Sequence, residues 1–237
     1  MLFFYLRHGD PIYDPDSLTP LGERQAEALA KRLALFGIDE IYSSTSTRAI
    51  LTSKPTCELL RKEATLLDFT NESHAWDDFS FEENGKTTWL FCNNRVTELF
   101  ADPEVIKLYD KWYEHPEFAK NNYKKGIDRI TKESDEFFKK LGYEHINGTG
   151  AYKVTNHNDK RIALFAHQGF GIAFLSLLLD IPYPIFSRHF DMTHSSMTVI
   201  EFRDDGGITH PRLLTLSNDS HLYREGLPLL YNRVVRF

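Results

Sequence analysis

The sequence is poor in cysteine and has no long apolar run. Cys57 and Cys92 are its only thiols, and no CxxC pair occurs. A disulfide framework and a structural zinc site therefore both lose support. No stretch approaches the roughly 20 apolar residues that a membrane-spanning helix needs. A basic excess is missing too, with 28 Lys and Arg against 34 Asp and Glu. A broad nucleic-acid footprint requires the opposite balance, whereas a small anion needs only a few converging Arg and His side chains. The N-terminus, Met1-Leu2-Phe3-Phe4-Tyr5-Leu6-Arg7-His8, shows no basic leader region and no small-residue cleavage site. The expectation is a cytoplasmic protein with no membrane and no nucleic-acid partner. The sequons Asn71-Glu72-Ser73 and Asn147-Gly148-Thr149 then read as chance matches. Internal repeats and low-complexity tracts are absent.

What is present is ordinary globular material, with 41% hydrophobic and 26% charged residues over 237 positions. That length allows one large domain or two small ones and suffices to bury a core without staples. The aromatic share, 14%, is high, which fits a bulky core or an aromatic-lined pocket.

Residues 2–6 form an apolar run of the kind a buried strand shows, with Arg7-His8-Gly9 at its carboxyl end. A polar loop is expected from Asp10 to Ser17. Thr19-Pro20 then opens a helix, with Thr19 as N-cap and Pro20 in the first turn. Ile38 to Tyr42 reads as a second strand, and Ser43 to Thr47 as a hydroxyl-rich turn. A helix follows from about Arg48 to Arg61, with a kink or early break expected at Pro55. Ala64 to Phe69 reads as a third strand. The pattern then loosens. Residues 73–160 are read as an insertion over the face of the core, with helices near Glu104 to His115 and Tyr123 to Leu141. A polar loop is expected at Gly142 to Lys160. Order returns with the apolar run Ile162 to Ala166, which ends in His167-Gln168-Gly169, and with an apolar helix at Phe170 to Leu179. Met197 to Phe202 and Arg212 to Leu216 read as further strands, with Gly206-Gly207 as a turn signal between them. Alternating strands and helices point to an α/β fold around a mostly parallel sheet.

Two strand ends thus deliver similar chemistry. Ligands of open α/β sheets bind outside the carboxyl ends of the strands. Arg7, His8 and His167 there, each close to a glycine, suggest one anion site. The helix after Gly169 adds its N-terminal N–H groups. Arg48 opens another helix, where a cation opposes the helix dipole. It reads either as a surface ion pair or as a planar fork aimed at two phosphate oxygens.

Leu6-Arg7-His8-Gly9 resembles the signature of the histidine phosphatase superfamily, the phosphoglycerate mutase-like proteins. Leu18-Thr19-Pro20-Leu21-Gly22-Glu23-Arg24-Gln25-Ala26, Ser43-Ser44 with Arg48-Ala49, and Ala166-His167-Gln168-Gly169 are similar to the superfamily's further motifs, in the same order. The resemblance is firm over residues 1–72 and 161–202 and weak over the insertion. It implies a three-layer α/β/α fold with a mostly parallel central sheet and a helical insertion, as one domain over 1–237 with the inserted segment at about 73–160.

The resemblance also implies a metal-independent phosphatase that hydrolyses a phosphate monoester through a phosphohistidine. His8 is then the nucleophile, and it must be neutral to attack. Arg7, Arg48 and His167 hold the phosphoryl oxygens, with His167 best suited as a cation, and Gly9 and Gln168 complete the substrate-binding set. A carboxyl after the third strand protonates the leaving group. Glu72 fills that place, with Asp68 and Asp77 as substitutes. A phosphate dianion beside such a carboxyl favours its protonated form. No metal and no cofactor are implied. The partners are a small phosphorylated substrate and inorganic phosphate as product.

Two alternatives stand beside this reading. One is a cofactor-dependent phosphoglycerate mutase-type phosphotransferase, although the insertion lacks the basic segments expected for gripping a glycerate phosphate. The other is a non-catalytic phospho-ligand binding protein. Each residue also has a plainer reading: His8 as a strand cap, Glu72 as a solvated carboxylate, His194 as a loop residue rather than a substrate contact. His189 and His194, five apart, make no convincing metal pair. Trp76, Trp89, Phe91 and Trp112 read as core, and His221-Leu222-Tyr223 as a buried tail. Asp14 to Ser17 is a possible polar cover for the phosphate, and Asp10 has no assigned role.

Overall fold

The computed structural model describes residues 1–233 and 235. The chain opens with β1 (Leu2–Arg7), β2 (Pro11–Tyr13), β3 (Asp16–Leu18), α1 (Pro20–Phe36), β4 (Glu40–Ser44), α2 (Thr47–Leu60) and β5 (Ala64–Leu67). It continues with α3 (Glu72–Phe79), β6 (Ser80–Glu83), β7 (Lys86–Trp89), α4 (Asn94–Leu99), α5 (Pro103–Leu108) and α6 (Tyr123–Lys140). Then come β8 (Tyr143–Ile146), β9 (Ala151–Val154), β10 (Arg161–Ala166), α7 (Gln168–Leu178) and α8 (Tyr183–His189). The last elements are β11 (Met197–Glu201), β12 (Ile208–Thr209), β13 (Arg212–Asn218) and α9 (Ser220–Arg224).

Six strands build the central sheet in the order β13-β11-β1-β10-β4-β5. The pairs β1–β10, β10–β4 and β4–β5 are parallel, and β11 and β13 add antiparallel pairs on the other side of β1. Successive side chains of a strand face opposite ways, so a wholly apolar strand buries both faces. β1 does this. Phe4 and Leu6 pack with Leu29 and Leu33 of α1 and with Ala163 and Phe165 of β10. Phe3 and Tyr5 face the other layer, with Phe138 of α6 and Phe174 of α7. The architecture is therefore three-layer α/β/α around a mostly parallel sheet, as expected.

Local signals explain the helix ends. Thr19 caps α1 by accepting the Gly22 N–H at 3.0 Å, and Gly37 closes the helix in a left-handed conformation, donating to the Leu33 carbonyl. α2 runs on through Pro55 without an early break, where a kink or early break was expected. Its buried face, with Ala49, Thr52, Ser53 and Thr56, packs on α1, and this packing outweighs the hydrogen bond that proline removes.

Two expected loops are ordered hairpins. Within residues 10–17, β2 and β3 pair Ile12 with Ser17 and Tyr13 with Asp16. Within residues 142–160, β8 and β9 pair, and β12 joins them in a separate three-stranded sheet. These strands are short and half-polar, so no apolar run announces them. The expected helices of the 73–160 segment form at α5 and α6, with a 3-10 turn over Tyr109–Glu114. The segment's Phe79, Phe100, Trp112 and Tyr123 share one core cluster with Phe3 and Phe170, so it is packed into the main body on this side. Among the described residues no helix is long and apolar enough to cross a membrane.

Candidate active site

Sheet register brings the two histidine motifs together. Arg7 of β1 pairs with Ala166 of β10, so both strands end at the same level. The next residues, His8 and His167, stand with ring centroids 5.2 Å apart. β4 lies on the far side of β10, and its end supplies Ser44 and, beyond it, Ser46 and Arg48. After β5, a 3-10 turn over Asp68–Thr70 leads into α3, whose first residue is Glu72. Four consecutive connections thus converge on the carboxyl edge of the sheet, where such folds bind ligands.

His8 is held by its own neighbour. Its Nδ1 lies 2.7 Å from the Gly9 carbonyl oxygen. A carbonyl only accepts, so Nδ1 carries the proton and Nε2 keeps its lone pair. Gly9 donates its N–H to Thr52 Oγ1 at 3.0 Å. A side chain at Gly9 has no room, because a Cβ there would lie 2.6 Å from the Gly22 carbonyl oxygen. The expected contact of Gly9 with substrate is not what these bonds provide. Its amide is occupied, and its carbonyl orients His8.

His167 is fully buried. Its Nε2 lies 2.7 Å from Ser46 Oγ and 2.8 Å from Ser44 Oγ. Its Nδ1 lies 3.2 Å from Glu72 Oε2, without hydrogen-bond alignment. The second Glu72 oxygen accepts the Phe170 N–H in the first turn of α7 at 3.3 Å. Of the three carboxyls considered for the acid role, only Glu72 touches the histidines. Asp68 is exposed and engages Thr45 and His74, while Asp77 stands on the cavity wall.

Arg7 is buried and its fork is fixed at two points. One terminal nitrogen donates to the Met192 carbonyl and the other to Asn232 Oδ1. The Asn232 oxygen also lies 3.0 Å from His194 Nε2, and its amide donates to Gln168 Oε1 at 2.7 Å. Gln168 in turn donates to Asp191. Arg48 pairs with Asp16 at 2.7 Å, and the other Asp16 oxygen accepts the Thr47 N–H. The Nε atoms of both arginines are buried and have no partner among the described residues. Buried donors of this kind call for an anion.

Burial, reinforced by His167, Arg7 and Arg48, holds His8 well below the ordinary imidazole range. Burial, with Arg48 and Arg7, does the same to His167. Burial and the two arginines thus favour the neutral form of both rings, where His167 was expected as a cation. Arg7 is lowered to about 10 by burial and stays charged at neutrality.

The cavity has a volume of about 690 Å³ and is lined by Arg7, His8, Arg48, Glu72, Trp76 and Trp89 among others. His8, Glu72 and His167 also offer ligand atoms within 4.8 Å of one another, a donor set of the metal-binding kind. Two guanidinium groups beside it oppose a dication and favour an oxyanion.

Several contributors escape a reading by sequence. Asn232 reaches Arg7 across 225 positions, with no local motif to announce it. Trp76 and Trp89, expected in the core, line the cavity, whereas Trp112 is core as expected. His194, read as loop or substrate contact, stacks 5.8 Å from His8. Asp10 accepts from the Thr19 hydroxyl at 2.7 Å and lies 3.3 Å from His194, so it ties the loop after β1 to the α1 cap. His221 and Leu222, both on α9, are buried, but Tyr223 is 88% exposed, so the expected buried tail is covered only in part.

Residues 6–104 match the family model of the histidine phosphatase superfamily (branch 1). Together with the fold, this bears out the resemblance read from the sequence. No curated protein sequence matches the chain. Among solved structures, phosphoserine phosphatase from Entamoeba histolytica in complex with 3-phosphoglyceric acid is similar, with 19% identity and a TM-score of 0.59 over 93% of this chain and 98% of that one. A mycobacterial glucosyl-3-phosphoglycerate phosphatase in complex with inorganic phosphate is 17% identical, with a TM-score of 0.53 over 93% of this chain and 98% of that one. These likenesses establish a shared fold.

Proposed function

We propose that the protein is a metal-independent phosphatase that hydrolyses a small phosphate monoester through a phosphohistidine on His8. The observation that carries this reading is the tautomer of His8. Its Nδ1–H is committed to Gly9, which leaves Nε2 unprotonated in a cavity flanked by two arginines.

In the first step Nε2 attacks phosphorus, the N–P bond forms and the ester P–O bond breaks. Glu72 gives its proton to the leaving oxygen, and the alcohol departs. In the second step water attacks phosphorus and gives a proton to Glu72. The N–P bond breaks, and inorganic phosphate leaves with His8 and Glu72 restored. The Nε–H groups of Arg7 and Arg48 and the Nδ1–H of His167 bind the phosphoryl oxygens and oppose the charge that spreads over them. Phosphoryl transfer asks for little more than such positioning and electrostatics.

The test is hydrolysis of p-nitrophenyl phosphate in EDTA by the wild type and by His8→Ala. Turnover that persists in EDTA and vanishes in the variant supports the reading. Turnover that EDTA abolishes would assign His8, Glu72 and His167 to a metal instead. Activity that appears only with added 2,3-bisphosphoglycerate would assign a mutase.

A further inference from the structure

Among the described residues, no cation other than Arg7 and Arg48 lines the cavity. Apart from Arg7 and Arg48, the charged side chains lining the cavity are Asp16, Glu72 and Asp77. Asp16 is taken up by Arg48 at 2.7 Å, and Glu72 lies 3.2 Å from His167. Asp77 is exposed on α3 and has no ion-pair partner among the described residues.

Two indole rings form a corner beside it. Trp76 and Trp89 stand with centroids 5.0 Å apart and planes at 88°. Trp89 is braced from behind by Phe91, stacked at 5.6 Å. Its ring edge reaches the phosphate end of the cavity: a Cβ at Gly169 would lie 2.4 Å from Trp89 Cη2 and 2.4 Å from Glu72 Oε1. Trp89 therefore flanks the carboxyl that protonates the leaving oxygen. Trp76 follows Glu72 by four positions on α3, which places it on the same helix face one turn, about 5.4 Å, further along.

We propose that the leaving alcohol bears an ammonium group seated in the corner of Trp76 and Trp89, with Asp77 as its counter-charge. The substrate is then the phosphate monoester of a short amino or quaternary-ammonium alcohol. This inference rests on the phosphatase reading of the same site. Indole faces attract cations through their quadrupole, and quaternary ammonium groups are bound in aromatic corners of this kind. Among the described residues, an acidic leaving group would meet the carboxylates of Glu72 and Asp77, the two indoles and the neutral Asn71 and Ser73, with no cation beyond Arg7 and Arg48. Arg188 and Arg233 line a neighbouring cavity of about 390 Å³. That cavity lies behind the hydrogen-bonded chain of Asn232, Gln168 and Asp191, and Arg233 is held by Asp191 at 3.3 Å.

The experiment compares kcat/KM for three monoesters: choline phosphate, its uncharged isostere 3,3-dimethylbutyl phosphate, and 3-phosphoglycerate. The same three are titrated calorimetrically into His8→Ala, which reports binding without turnover. The expected order in both assays is cation, neutral isostere, anion, with about tenfold between the first two. In Asp77→Asn and in Trp89→Leu that ratio falls towards one. Because the readout is a ratio within one variant, a general loss of folded protein does not move it. Equal handling of cation and isostere, or preference for the anion, overturns the ammonium inference. If p-nitrophenyl phosphate is still hydrolysed, the phosphatase reading survives that result. Conversely, the expected binding order with no turnover of any ester overturns the phosphatase reading and supports the ammonium corner.

Discussion

The imidazole of His8 is tied to the carbonyl of the next residue, Gly9, at 2.7 Å. That single bond leaves Nε2 as the ring nitrogen with a free lone pair. The carbonyl is itself immobile, because Gly9 donates to Thr52 and packs its α-carbon against Gly22. Nitrogen-15 spectra of labelled protein at pH 7 are expected to show His8 neutral and protonated on Nδ1. A resonance pattern with the proton on Nε2 would remove the nucleophile from the mechanism. With the tautomer as expected, His8→Ala lowers kcat by at least about a thousandfold while the far-ultraviolet circular dichroism stays native, since loss of a covalent nucleophile leaves only binding and electrostatics.

Glu72 touches both His167 and the start of α7. The acid role proposed for it would show in the leaving group. Glu72→Gln keeps the shape and removes the proton, so turnover of an alkyl phosphate is expected to fall by about 10² to 10⁴. p-Nitrophenolate leaves without a proton, so p-nitrophenyl phosphate is expected to lose much less. A variant that slows both esters equally would show that Glu72 only positions His167.

The central sheet and the four basic groups were legible because each depends on local sequence. A buried parallel strand is an unbroken apolar run, and β1 and β10 end abruptly at Arg7 and His167. The order of the motifs follows from the order of the strands. What stayed hidden depends on distant partners. Asn232 meets Arg7 and Gln168 only because the tail passes over the carboxyl edge of the sheet. The hairpin of β8 and β9 has Tyr143, Ala151 and Tyr152 buried but only short strands, so it reads as a loop. Pro55 misleads because its intrinsic preference is overruled by packing. Trp89 reads as core because an indole's composition is the same in a core and in a pocket wall. The burial of His167 stayed hidden for a similar reason: the motif shows a histidine among arginines but not how completely it is enclosed.

Asn232 bridges Arg7, His194 and Gln168 through one side chain. A hydrogen bond to a charged group contributes about 1.5–3 kcal/mol, and here it holds the Arg7 guanidinium in place at the cavity. Asn232→Ala is expected to weaken inorganic phosphate inhibition and to lower kcat/KM by about tenfold or more, mostly through KM. Asn232→Asp retains the acceptor but adds a negative charge beside Arg7, so it is expected to be worse than alanine for an anionic ligand. An aspartate variant that binds phosphate as well as the wild type would mean that the tail does not set the Arg7 field.

The histidines also predict how stability responds to acid and alkali. His8 and His167 are held well below the ordinary imidazole value by burial and neighbouring cations. His194 is lowered to about 3 by burial and Arg7, and His221 to about 4 by burial and Arg32. As pH falls below about 6.5, the unfolded chain takes up protons at these four positions and the native protein does not. Stability therefore drops by about 1.4 kcal/mol per pH unit for each group until its own folded value is reached. His145 behaves in the opposite way. Burial lowers it, but Asp135 at 2.9 Å and Asp180 at 3.1 Å overcome that and raise it to about 9. Its contribution is complete below about 6.5 and is lost as pH rises through about 9. Guanidinium midpoints measured from pH 4 to pH 10 are expected to peak near neutrality, with the steeper fall on the acid side. His145→Gln is expected to flatten the alkaline limb and leave the acid limb in place. An acid limb as shallow as that of a single histidine would show that the four rings are not all buried neutral in the folded protein.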